Sequence, residues 1–327
     1  MSGNTLDFKL NHYLIITGFV LALLPPVFLE DFTVFQLTQA LVYAIAILGL
    51  NLLTGFNGQF SLGHSAFYAL GAYIAAILMD QWGVAYYWTF IPAGMLCLVA
   101  GFLFGLPALR LEGLYLALAT FALAVATPQI LKYHRFEEIT GGVQGIDLDK
   151  PVSPLSYLTD DQWLYYFVLV VMVVLFMGAR NLIQGRVGRA IIAIRDNPIA
   201  AKTMGINIAL YKSLTFGVSA FYTGVAGALS AIIIQFVAPD TFTFFLAITF
   251  LVGSVIGGIT SIFGAIFGGF FVLLVPNLAD ALGIIDAKGL SWAIYGIFLI
   301  LAVHVMPGGA AGMARRIAIR FGTYARR

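Results

Sequence analysis

The side chains that most often carry covalent or metal chemistry are present in this chain but do not gather. The four histidines (His12, His64, His134, His304) and the single cysteine (Cys97) lie far apart in sequence. No Cys/His spacing suits a metal site, and no disulfide can close within the chain. There is no phosphate-cradling GxxxxGK[ST] loop, no GxSxG, no HExxH and no facing pair of carboxylates. Polar chemistry is concentrated in two stretches instead. Between Asn51 and Tyr73, Asn51, Thr54, Asn57, Gln59, Ser61, His64 and Ser65 offer hydrogen-bonding groups, and Gly55, Gly58, Gly63 and Gly71 permit irregular backbone. Between Arg180 and Lys212 stand six bases (Arg180, Arg186, Arg189, Arg195, Lys202, Lys212) and a single acid, Asp196. The first stretch suits the handling of a small polar solute, and the second suits a charged contact surface.

The surroundings of these stretches decide what they are for. Of 327 residues, 61% are hydrophobic and only 10% charged, against roughly 45–50% and about 25% for soluble proteins. The chain therefore reads as an all-α integral membrane protein, a polytopic helical bundle. A crossing needs about 20 apolar residues, and ten runs meet that: 13–29, 34–55, 61–79, 85–106, 113–131, 163–181, 212–237, 241–261, 264–283 and 290–306. The first is read as an uncleaved span, since no small-x-small cleavage site follows it. The run 61–79 begins SLGHS and fits either a crossing or a re-entrant segment.

Charge sorts the loops. With both termini on the cytoplasmic side (N-in/C-in), Lys9, Arg110, the six bases of the island and the tail arginines 315, 316, 320, 326 and 327 fall inside, 13 of the 17 bases. Only Asp7, Glu112 and Asp196 of the 15 acids accompany them. This is the positive-inside pattern. It makes 132–162 an external loop, with six acids (Glu137, Glu138, Asp147, Asp149, Asp160, Asp161) against three bases, 182–211 a cytoplasmic loop, and 307–327 a basic cytoplasmic tail. No Lys or Arg falls at mid-depth of a span, and no buried titrating carboxylate stands where a proton relay would need one. That argues against proton coupling and leaves sodium coupling open. Glycines four apart (Gly101/Gly105, Gly253/Gly257, Gly264/Gly268) suit close helix packing.

Two alternatives attach to each polar stretch. The stretch Asn51–Tyr73 reads as broken helix lining a cavity, with Asn51, Thr54, Asn57, Gln59, Ser61 and His64 as substrate-pathway candidates. It reads equally as a tight turn (Phe56–Phe60) at the cytoplasmic surface, with Ser61 capping the next helix. In the cationic island, Arg186–Arg195 predicts a short helix with Val187, Ile191 and Ile194 on one stripe. Asn197 then suits an N-cap and Pro198 the first helical position, and Gly205 suits the stop. The short helix so delimited presents Ile199, Ala200, Ala201 and Met204, a face that fits a groove on a partner or lies on lipid headgroups.

The segments GQFSLGHSAFYALGAY, RLEGLYLALATFALA, the outward TGG at Thr140–Gly142, and GRAIIAIRDNPIAAKTMGINIALYKSLTFGVSAFYTGVAGAL resemble, in order over Asn51–Leu229, the LivM-type permease subunits of ABC importers for branched-chain amino acids. The SLGHSAFYALGAY motif is shared with LivH-type subunits and urea permeases. The resemblance implies an importer transmembrane domain over 1–327 that does no covalent chemistry and binds no cofactor. ATP and Mg would sit on two cytoplasmic ATPase subunits. A second, LivH-like permease and an extracytoplasmic substrate-binding protein complete the implied set, in membrane lipid of a bacterial or archaeal inner membrane, with no nucleic acid. Arg189, Arg195, Asn197, Pro198, Ala200, Ala201, Met204 and Gly205 then belong to an ATPase-coupling loop similar to the EAA loop, with Ile199 where the general pattern often has Glu. The outward acidic loop would meet the binding protein, by steering a basic patch or as a plain solvated hairpin. A urea or short-amide ABC permease of the same architecture and a sodium-coupled secondary carrier are the alternatives.

Overall fold

A computed structural model describes residues 23–111, 113–281 and 308–313, with positions 296, 300 and 304. Most of the expected spans 13–29 and 290–306, and of the tail 307–327, lies outside the described residues. So do Lys9, His12, Glu112 and Lys288.

Among the described residues, ten helices carry the fold, beside two single turns at Pro25–Phe28 and Glu137–Thr140: α1 (Asp31–Leu50), α2 (His64–Asp80), α3 (Tyr86–Ala108), α4 (Leu114–Leu131), α5 (Asp160–Gln184), α6 (Arg186–Asp196), α7 (Pro198–Thr203), α8 (Ile208–Ile234), α9 (Phe244–Gly257) and α10 (Gly264–Ala281). Among the described residues, six helical segments are long and apolar enough to cross a membrane: Asp31–Phe56, Tyr86–Ala108, Leu114–Leu131, Asp160–Gln184, Ile208–Ile234 and Pro239–Gly257. The chain is a multi-pass, all-helical membrane protein. Its one β element among the described residues is a two-residue ladder, Ile146–Asp147 against Phe236–Val237, antiparallel with Ile146 opposite Val237.

Local signals explain where helix ends depart from the apolar runs. α5 starts three residues before the expected 163, because Thr159 and Gln162 form a reciprocal capping box that satisfies the first turn. α8 starts at Ile208 rather than 212, because the Asn207 side chain accepts from Leu210 N at 3.1 Å. The run 61–79 is helical only from His64. Its far end lies beside the acidic loop 132–162, where Gln81 Nε2 donates to the carbonyls of Glu138 and Ile139, each at 3.2 Å. The segment therefore runs from one end of the bundle to the other instead of turning back.

The loops sort to two ends. At one, Lys132 pairs with Asp240, the short ladder ties 146–147 to 236–237, and Thr159 Oγ1 donates to Asp31 Oδ1 at 3.0 Å. The acidic loop 132–162 is thus fastened to the bundle at several points. At the other end lie Asn51–Gly63, α6–α7 and the α9–α10 connection.

α8 is the central strut: it packs on α1, α2 and α3, and most of its residues are buried. Lipid is as apolar as these side chains, so close backbone approach has to supply the association. A Cβ on Gly71 of α2 would lie 2.0 Å from Gly224 O of α8, and one on Gly257 of α9 would lie 2.1 Å from Gly264 O of α10. The glycine pairs read from the sequence are therefore packing contacts: Gly268 faces Gly253, and Gly101 meets Ala220. Cys97 is buried with its Sγ against Gly224, as a packing residue.

Gly71→Val drives a side chain into the α8 backbone and is expected to cost about 1–3 kcal/mol or more. Thermal unfolding of the detergent-solubilised protein reads this as a lowered midpoint. Gly312→Ala, whose Cβ meets open space, leaves the midpoint unchanged.

Candidate functional site: a capped helix beside a buried polar joint

The chain leaves α5 at Gln184 and turns at Gly185 into α6. The stripe of α6 is as expected: Ile191 and Ile194 are buried, and Val187 packs on the core formed by α1, α5 and α8. That apolar face rests on the protein's own bundle, which takes it away from lipid. Arg186 and Arg189 remain exposed, and Arg189 Nη1 reaches back to Gln184 O at 3.3 Å.

α7 follows after one residue. Asn197 Oδ1 accepts from Ala200 N at 3.0 Å, and Pro198 occupies the first helical position. Gly205, at φ +81°, takes the left-handed conformation that only glycine adopts without cost. Ile206 N then donates to Ala201 O at 3.1 Å and Gly205 N to Lys202 O at 3.0 Å, the two bonds of a Schellman stop. The helix is fixed at both ends by local chemistry. Ala201 is turned inward and buried, Ala200 is exposed, and Ile199 and Met204 stand 78% and 82% exposed. Two large apolar side chains held out from a capped helix among cations form a rigid knob.

Next to α6 the polar stretch forms a joint, with Gly58 against the Arg195 stem. α1 continues into a π-helical turn, Asn51–Phe56, a rare form that recurs at functional sites. Residues 57–63 are not helical. Gly58 and Phe60 reach the surface, while Asn57, Gln59, Ser61 and His64 are buried. The expected surface turn Phe56–Phe60 is therefore replaced by a π turn and an inward-facing loop. Ser61 does not hold the N-cap position of α2, which belongs to Gly63. It accepts from Gly63 N at 3.3 Å and lies 3.2 Å from His64 Nδ1.

From His64 the protons can be traced. Ser219 Oγ donates to Gly49 O at 2.6 Å, so its one proton is used. His64 Nε2, 2.8 Å away, must then donate to Ser219, which leaves Nδ1 to accept from Ser61. The result is one unbroken line, Gly63 to Ser61 to His64 to Ser219 to Gly49, that ties α2 to α8 and α1.

The remaining candidates join the same knot. Asn51 Nδ2 donates to Ser261 O at 3.0 Å and Gly258 O at 3.4 Å, and its Oδ1 accepts from Ser254 Oγ, which pins α1 to the α9–α10 connection. Thr54 Oγ1 donates to Gln59 O at 3.2 Å, and Asn57 Nδ2 to Gln59 Oε1 at 2.7 Å. Leu62 N donates to Thr120 Oγ1 of α4 at 2.9 Å. Asn57 Oδ1 and Ser65 Oγ are buried without a hydrogen-bond partner among the described residues. Asn51, Thr54, Asn57, Gln59, Ser61 and His64 thus come together, and most of their hydrogen-bonding capacity is spent within the fold.

Sequence reasoning missed Ser219, Thr120 and Ser254, the partners across the joint. Each is one small hydroxyl in an apolar run, and such a residue satisfies itself equally well on its own helix. The described residues hold no group of three or more His, Cys, Asp or Glu placed to bind a metal ion.

Residues 32–303 match the model of a family described as branched-chain amino acid transport system/permease component. The chain is 32% identical to the high-affinity branched-chain amino acid transport system permease protein LivM of Escherichia coli (strain K12), over 96% of this chain and 77% of that protein. It is 26% identical to a probable LivM permease of Methanocaldococcus jannaschii, over 83% and 82% of the two chains. Its identity to the LivH permease of Salmonella typhimurium is 24%, over 84% and 92%. No solved structure matches it.

Ser219→Ala leaves the His64 Nε2 proton without its acceptor, and Asn51→Ala leaves the Ser254 hydroxyl without its acceptor and the Ser261 carbonyl without its side-chain donor. Each is expected to destabilise by about 1–3 kcal/mol per group stranded. Thermal unfolding of the solubilised protein measures the loss.

Proposed function

We propose that this chain, which belongs to the family of branched-chain amino acid transport permeases, is the LivM-type membrane subunit of an ATP-driven importer. Its substrates would be leucine, isoleucine and valine, the class named by its relatives. The chain does no covalent chemistry and binds no ATP or Mg itself. Two ATPase subunits on the cytoplasmic side supply the energy, a LivH-like permease completes the membrane pair, and a soluble binding protein delivers the amino acid from outside.

The observation that carries the reading is α7. Ile199 and Met204 are almost fully exposed on a helix that its caps hold rigid, at the cationic end of the bundle. A knob of this kind seats in a groove, and the arginines keep that end in the cytoplasm. The contact is apolar, in accord with Ile199 standing where related importers often carry Glu.

In this reading the chain crosses the membrane about ten times with both termini inside, and residues 182–211 are the coupling loop. The fastened acidic loop 132–162 faces the binding protein. Arg189, Asn197, Pro198, Ala200, Ala201 and Gly205 shape and orient α7, while Ile199 and Met204 make the contact. The polar joint sits at the cytoplasmic end of the pathway and sets the relative positions of α1, α2, α8 and α9.

Purification of the native complex through a tag on this chain tests the proposal. The paired change Ile199→Glu and Met204→Glu buries two charges in the groove, each costing several kcal/mol. The ATPase subunits are expected to be lost from the complex while the sister permease remains. Full retention of the ATPases by the double variant, with normal uptake, would refute the assignment.

A further inference from the structure

One basic residue of the coupling loop does not face outward with the rest. Arg195, two residues before the Asn197 cap of α7, has a side chain only 30% exposed. Its Nη1 donates to the carbonyl of Gly55 at 3.0 Å. Its Nε and Nη2 hold Asp196 Oδ1 at 2.9 and 2.8 Å, which fixes the guanidinium plane. The stem crosses Gly58 so closely that a Cβ there would lie 2.9 Å from Arg195 Cγ. Gly58 is also at φ +73°, so both the backbone and the space admit glycine alone.

Gly55 belongs to the π turn of α1. The last carbonyls of a helix lack partners within it, and Arg195 satisfies one of them with a charged donor, the stronger kind of bond. The same turn is wedged on its other side: a Cβ on Gly55 would lie 1.9 Å from Ile259 O, and Asn51 grips Gly258 and Ser261. Among the described residues, this is the one hydrogen bond between α6–α7 and the segment Asn51–Gly63. It joins a piece that is rigid because α7 is capped to a turn that is rigid because the α9–α10 connection clasps it.

We infer that Arg195 is a positioning residue: it passes displacement of α7 through the Gly55 carbonyl into the π turn, and so to α1 and the α9–α10 connection. It acts on this chain's own backbone and makes no contact with the ATPase. The inference rests on the docking role proposed for α7.

The native complex in proteoliposomes separates the two ideas, with three readouts: ATPase subunits retained, ATP hydrolysed, and leucine accumulated per ATP. Arg195→Gln is expected to keep the ATPase subunits and their hydrolysis, while leucine per ATP falls at least about tenfold, the effect of losing one charge-assisted hydrogen bond. Arg195→Lys keeps a donor but loses the fork, and its ratio falls by less than that of Gln. An unchanged ratio in Arg195→Gln overturns the inference, as does loss of the ATPase subunits from that complex, which would make Arg195 a contact residue. Should the Gln variant fail to accumulate, an unchanged ratio in Arg195→Lys overturns it equally. The docking reading survives those results if the Ile199/Met204 double variant still sheds the ATPases. A wild-type complex without ATPase subunits would defeat both.

Discussion

A chain that leaves helical form inside an apolar bundle must find a partner for every polar group it uncovers. In this protein that requirement falls on Asn51–Gly63, and much of the architecture answers it. Ser219 lies on α8 where it accepts from His64 and donates to the Gly49 carbonyl. Thr120 of α4 receives Leu62 N, and Asn51 reaches the α9–α10 connection. Elements far apart in sequence are held at one end by this single joint, and α6, which leads into α7, reaches it through Arg195.

The rest of the bundle is assembled by a different means. Away from the joint, helices meet through small residues, with glycine against backbone at α2–α8 and at α9–α10. Such contacts leave little room for adjustment within a pair. The polar joint and residues 182–211 gather at one end of the bundle, and the acidic loop 132–162 is fastened by its ladder and by Lys132–Asp240 at the other.

Legibility in the sequence followed the range of the interaction. α7 was readable almost to the residue, because Asn197, Pro198 and Gly205 each act within one turn. The stripe of α6 was readable from the spacing of Val187, Ile191 and Ile194. Membrane class and most span positions followed from apolar length alone. Ends set by side-chain caps shifted by a few residues, as at Thr159 and Asn207. The joint was visible as a concentration of polar residues, but its form was not: a π turn has no local signature, and a bond such as Arg195 to Gly55 spans 140 positions. The partners Ser219 and Thr120 were hidden for the same reason, since a hydroxyl in a span looks alike whether it binds its own helix or another.

The function proposed for this chain is to move branched-chain amino acids with energy from ATP bound elsewhere. The decisive test is uptake of radiolabelled leucine by proteoliposomes that hold the native complex, with its binding protein outside and ATP inside. Accumulation is expected to need enclosed ATP and to persist when sodium and proton gradients are collapsed. Accumulation that follows a sodium gradient and ignores ATP would contradict it.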